Sequence, residues 1–199
     1  MSAYPAATAL IVVDVQQSFP QRPYFRPDDV PAFLSAQNAL IAGFAERGLP
    51  IVRVLHVEGE GAFALASGLV RPLDGLSEFA PALTLHKHAH SAFAGTGLSQ
   101  WLIARGIRRV VVSGIRTEQC CETTTRDGSD RGFEVDYVSA ATLTFPMRHA
   151  NGREYSSAEI KERTELVLEG RFARIVTVER ALARADEHRA GAVTHAKAA

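Results

Sequence analysis

The chain has 199 residues, 46% of them apolar and 22% charged, enough for one domain with a substantial core and too few for two ordinary ones. That composition excludes a disordered, collagenous or disulfide-stapled chain. Lys and Arg number 22 against 22 Asp and Glu, so the chain carries no electrostatic footprint for nucleic acid or an anionic membrane surface.

In chain order, Ala9 to Val13 is an apolar run rich in β-branched residues that stops at Asp14, the pattern of a strand buried on both faces. Pro27-Asp28-Asp29 opens an amphipathic helix through Leu34, Leu40, Ile41 and Phe44, closed by Gly48. A second strand covers Ile51 to Leu55. Residues 58–81 dissolve into Gly, Ala, Ser and Pro, longer than most connections, with no readable element. Leu83 to Leu85 predicts a short strand leading to Lys87, and Leu98 to Ile103 a helix before Gly106. Arg109 to Gly114 is another buried strand. A helix over Glu118 to Asp130, a strand over Val135 to Val138, a helix over Ser157 to Leu168 and a strand over Ile175 to Val178 follow, then a helix from Glu179. Regular alternation of this kind predicts a three-layer α/β fold, with a mainly parallel central sheet and helices on both faces. Ligands of such folds sit at the carboxyl ends of the strands. One domain spans 1–199, its core about residues 8–190, with an Ala-rich tail expected to fray from Gly191.

The two cysteines, Cys120 and Cys121, are adjacent, so a bridge between them closes no useful loop and a reducing compartment fits. Met1 to Ala7 lack the basic start and apolar core of a secretory leader, and no run reaches the roughly 18 apolar residues of a membrane span. The expected location is cytoplasmic.

Three polar residues fall where strands end: Asp14 after the first, Lys87 after the third, and Cys120 just past the glycine turn of the fourth. A carboxylate, an ammonium and a thiol on one sheet edge suit a cysteine nucleophile with supporting charges. In the first turn of a helix, with a lysine nearby, a thiol is expected to ionise well below its usual pKa of about 8.5. Asp14 would take the thiol proton and later return it to a leaving amine. Alone, Asp14 reads equally as a turn or cap residue, and both cysteines as small buried apolar residues.

The blocks Val13-Asp14-Val15-Gln16 with Phe19, Lys87 followed by Ser91-Ala92-Phe93 and Gly95-Thr96-Gly97-Leu98, and Gly114-Ile115-Arg116-Thr117-Glu118-Gln119-Cys120-Cys121 with Thr124, Arg126 and Asp127 resemble the isochorismatase-like cysteine hydrolases. That family includes nicotinamidases, N-carbamoylsarcosine amidohydrolases and ureidoacrylate amidohydrolases, and the resemblance runs from about Leu10 to Val178. It implies a catalytic triad of Asp14, Lys87 and Cys120 that hydrolyses a small amide or ureido compound through a thioester. It further implies a cis peptide between Ile115 and Arg116, an oxyanion hole from the Arg116 and Cys120 N–H groups, and a homodimer or homotetramer. Phe19 matches a pocket aromatic, with a core role as the other reading. Cys121 stands where the family has a valine-like residue, so it reads as buried packing.

The departures shape the expectation of function. Nicotinamidases place an Asp and several His after the second strand to bind a metal, whereas this chain reads Leu55-His56-Val57-Glu58-Gly59-Glu60. No metal and no cofactor are expected. His56 is either a substrate contact or a satisfied core histidine. His86, His88 and His90 read as loop residues lining or flanking the site. Arg116 stands where relatives often carry a small residue, and its guanidinium is expected to hold a substrate carboxylate. Arg22 and Arg26 read as surface loop, with reach into the pocket as the minor alternative, and Arg180 to Arg189 as a solvated helix face. The alternatives are an isochorismatase-type vinyl ether hydrolase with Asp14 as acid, which has no use for a thiol, and a catalytically silent small-molecule binding protein.

Overall fold

A computed structural model describes residues 8–196, with side chains described through residue 187. The reading of Met1 to Ala7 therefore lies outside the described residues. Strand β1 (Thr8–Val13) leads into helix α1 (Val30–Glu46), then β2 (Ile51–His56), β3 (Leu83–Lys87), α2 (Leu98–Ala104) and β4 (Arg109–Ile115). A five-residue π-type turn (Thr117–Cys121) runs into α3 (Glu122–Asp130). The chain continues through β5 (Glu134–Leu143), a hairpin of β6 (Met147–Arg148) and β7 (Glu154–Tyr155), α4 (Ser157–Leu168), β8 (Arg174–Ile175) and α5 (Val178–Ala196).

Six strands form one parallel sheet in the order β3-β2-β1-β4-β5-β8. The order reverses beside β1, and at such a switch point an open α/β sheet leaves a crevice at its carboxyl edge. All of β1 is buried because both faces are covered. Leu10 and Val12 pack with Phe33, Leu40, Phe44, Ala181 and Ala185 of α1 and α5. Ala9, Ile11 and Val13 pack on the other side with Leu98 and Leu102 of α2 and Leu168 of α4. The alternation of side chains along a strand thus feeds two cores, one per face.

Several boundaries correct the sequence reading. The last strand is only Arg174–Ile175, because α5 already starts at Val178. The tail expected to fray from Gly191 continues the helix through Ala196, in keeping with the helix propensity of its alanines, and the remainder lies outside the described residues. The segment 58–81 contains two short 3₁₀ turns, and Leu73 of that segment is buried in the core with its N–H on the Val15 carbonyl at 3.0 Å. Among the described residues no helix is long and apolar enough to cross a membrane.

Candidate active site

The carboxyl edge of the sheet gathers the three strand-end residues. Asp14 follows β1 with φ of 51°, a left-handed conformation uncommon for a residue with a Cβ, and its N–H donates to the Val54 carbonyl at 2.9 Å. Next door, β1 can approach β4 so closely only because Gly114 lacks a side chain. At Gly114 φ is +130°, and a Cβ there would lie 1.9 Å from the Val13 carbonyl oxygen. Lys87 ends β3, paired in register with His56 at the end of β2. Cys120 lies in the turn after β4, which is anchored by the Tyr137 hydroxyl donating to the Thr117 carbonyl at 3.0 Å. The Ile115–Arg116 peptide bond that opens this turn is cis.

Lys87 is the hub. Its Nζ lies 2.7 Å from an Asp14 carboxylate oxygen, 3.0 Å from the Ala89 carbonyl, 3.2 Å from His56 Nδ1 and 3.3 Å from Cys120 Sγ. Four acceptors surround three ammonium protons, so one proton is shared. Asp14 and Lys87 are wholly buried and Cys120 is 7% exposed. Burial raises the Asp14 pKa despite the opposing charge of Lys87. Burial alone would lower that of Lys87, but the Asp14 carboxylate and Cys120 outweigh it and hold the ammonium. For Cys120, burial and then the Asp14 carboxylate push the thiol up to about 12, with Lys87 only partly opposing. This reverses the expectation of an acidified thiol: desolvation and a neighbouring negative charge outweigh the helix terminus and the lysine. Cys120 therefore rests as a neutral thiol beside Asp14 and Lys87.

His56 is in the cluster, and its burial and the Lys87 charge lower its pKa to about 4. The ring is therefore neutral, with Nδ1 accepting from Lys87 and Nε2 turned to Glu58 Oε1 at 3.5 Å. Gln16, also buried, fixes the backbone of His56, accepting its N–H at 2.7 Å and donating to its carbonyl at 3.1 Å. His90 stacks parallel to His56, ring centroids 6.5 Å apart, with Nδ1 3.8 Å from Cys120 Sγ. His88 instead contacts the Val57 carbonyl and His86 is exposed. His56, His88 and His90 have other partners, and among the described residues no three metal-ligating side chains converge.

A cavity of about 200 Å3 opens onto Cys120. Its walls include Asp14, Phe19, His56 and Arg116, as read from the sequence, and also Arg22, Tyr24, Glu58, Phe63, His90 and Gln119. Phe19 serves both readings, being buried in the core cluster while lining the cavity. Arg22 takes the minor of its two readings and reaches the cavity, over the ring of its near neighbour Tyr24 and that of Phe63 from the segment after β2. Arg26 does remain in the loop, donating to Pro23 and Phe25 carbonyls. Arg116 reaches the cavity with its charge already met, since Nη2 lies 2.8 Å from Glu118, whose other oxygen accepts from the Thr144 hydroxyl at 2.6 Å. A larger groove of about 570 Å3 lies between the β6–β7 hairpin and α4 and shares only Glu118 with these groups.

The remaining motif residues are scaffolding. Thr124 of α3 accepts from the Ala92 N–H at 2.9 Å and Asp127 accepts from the Ser91 hydroxyl, which ties the segment after β3 to the helix after β4.

Residues 8–179 match the isochorismatase domain family. The chain is 30% identical over 181 residues to YrdC, an isochorismatase family protein of Bacillus subtilis, covering 86% of this chain and 92% of the relative. An isochorismatase-family structure from Chromobacterium violaceum superposes with a TM-score of 0.82 at 25% identity, covering 93% of this chain and 96% of the other. A shorter stretch of 73 residues, 37% of this chain and 30% of the relative, is 43% identical to the ureidoacrylate amidohydrolase RutB of Caulobacter vibrioides.

Proposed function

The chain belongs to the isochorismatase family of hydrolases, and on that footing we propose that it cleaves the C–N bond of a small amide or ureido compound through a thioester on Cys120. The observation that carries this reading is the buried contact set in which Lys87 Nζ lies 2.7 Å from Asp14 and 3.3 Å from Cys120 Sγ, at the wall of a cavity sized for a small molecule. The local likeness to an amidohydrolase points the same way.

Chemistry follows from the protonation states. Asp14 takes the Sγ proton as sulfur attacks the substrate carbonyl carbon, so the thiolate forms only as the C–S bond does. Lys87 remains an ammonium and offsets the negative charge on the Asp14–Cys120 pair throughout. The carbonyl oxygen becomes an oxyanion received by the Arg116 and Cys120 N–H groups, an interaction typically worth about 3 to 4 kcal/mol per donor in the transition state. Protonated Asp14 then gives its proton to the leaving nitrogen and ammonia or an amine departs. Water attacks the thioester, Asp14 takes its proton, and collapse returns the acid product and the Cys120 thiol.

A step through a metal does not fit these donors, because His56 is committed to Lys87 and Glu58, and His90 to Cys120 and the parallel His56 ring. The test is ammonia release across a panel of small amides and ureido acids. Cys120→Ala should lower turnover by about 10⁴-fold or more. Retained ammonia release in that variant would sink the thioester reading, and vinyl ether cleavage by it would favour Asp14 acting as an acid alone.

A further inference from the structure

Two of the charged pairs at the cavity are internal, and two charges of opposite sign are left on its wall. Asp14 is neutralised by Lys87 and Arg116 by Glu118. His56 is neutral, so Glu58, 3.5 Å from its Nε2, keeps its charge. Arg22 has no ion-pair partner among the described residues, although it lines the same cavity. Its guanidinium lies 5.6 Å from the Tyr24 ring centroid and 5.9 Å from that of Phe63, contacts that hold the group over the cavity and leave its N–H fork free of a carboxylate. Tyr24 is shared, since the Arg116 guanidinium sits 4.6 Å from the same ring. Arg116 is 7% exposed, yet its Nε–H is buried with no hydrogen-bond partner among the described residues.

We propose that Arg22 and Arg116, both packed against Tyr24, receive an anionic group, a carboxylate, at the end of the substrate away from the scissile amide. This deepens the amidohydrolase reading and rests on it for the identity of the cavity. Arg22 supplies a guanidinium with no ion-pair partner among the described residues, and Arg116 a second guanidinium on the same wall. The selectivity expected of Arg116 alone in the sequence is thereby reassigned, because Glu118 already answers the Arg116 charge.

The probe is a pair of thiol reagents of one shape and two charges, N-bromoacetylglycine and N-bromoacetylglycinamide, with the adduct on Cys120 resolved from Cys121 by peptide fragmentation. The quantity read is the ratio of anionic to neutral labelling rates, divided by the same ratio for N-acetylcysteine amide. The ratio should exceed one in the native protein and fall about fivefold or more in Arg22→Gln, the scale of a charge-assisted hydrogen bond. Arg22→Lys should recover part of it. Glu58→Gln, which removes a competing negative charge from the same wall, should raise it. A native ratio at or below one, or a ratio indifferent to Arg22→Gln, overturns the anion receptor while leaving the nucleophile intact. Failure of both reagents to label Cys120 overturns the nucleophile, and the receptor with it.

Discussion

At the scale of single residues, burial decides the acid–base behaviour. Cys120 in the absence of substrate is a thiol whose pKa stands near 12, so iodoacetamide should label it more slowly at pH 7 than it labels free cysteine. Labelling should accelerate above pH 9. Fast modification at pH 6 to 7 would mean that Lys87 prevails over burial and Asp14. The linkage has a definite sign: a pKa raised on folding favours the folded state until pH passes the ordinary thiol value, and that contribution is lost between about pH 9 and 12. His56 works in the opposite sense. Its pKa falls on folding from 6.5 to about 4, so the unfolded chain binds more protons across that window and stability declines as pH drops through it. Below about pH 4 the protonated Nδ1 would face the Lys87 ammonium as a second donor. His56→Phe, lacking the titration, should flatten the acid side of a urea-midpoint profile between pH 6.5 and 4; an unchanged slope would assign that slope to other groups. The meeting of Asp14, Lys87 and Cys120 was legible in the sequence because each ends a strand or follows one. Its proton affinities were not, because they depend on how completely three segments exclude water.

At the scale of elements, the closeness of β1 and β4 sets the site. Gly114→Ala would drive a Cβ into the Val13 carbonyl, and the backbone must separate just where Asp14 leaves β1. We expect a loss of roughly 3 kcal/mol or more in chemical denaturation, or no folded protein. A variant as stable as the parent would show that the strands tolerate wider spacing. By contrast, Ser156 begins α4 with a capping box, its hydroxyl accepting from the Glu159 N–H while Glu159 bonds back to the Ser156 N–H. Ser156→Ala should cost only about 1 kcal/mol, read in the same experiment. Strands with long β-branched runs, Ala9 to Val13 and Arg109 to Gly114, were readable because burial on both faces leaves an unbroken apolar signature. The hairpin of two-residue strands, Met147–Arg148 with Glu154–Tyr155, carries no period to read. The segment 58–81 is fixed by tertiary contacts such as Leu73 N–H to the Val15 carbonyl, which no local pattern announces.

At the scale of the whole molecule, a parallel sheet brings Asp14, Lys87 and Cys120 from three separate strand ends to one cavity, and the cavity walls come from segments as far apart as Arg22 and Gln119. That is why the convergence of Asp14, Lys87 and Cys120 was visible in sequence while Tyr24 and Glu58 were missed and Arg22 read first as loop. The donor set also predicts metal independence: dialysis against a strong chelator should leave ammonia release within about twofold. Loss of activity restored by zinc would contradict the assignment of His56 and His90. The central claim is that carbon–nitrogen cleavage passes through a covalent bond to Cys120. Its most direct test is acid quenching during steady turnover of an amide that releases ammonia, followed by peptide mapping. The account predicts the acyl mass of the substrate on Cys120, absent from the Cys120→Ala protein, whereas ammonia release without any acyl adduct, and surviving in that variant, would contradict it.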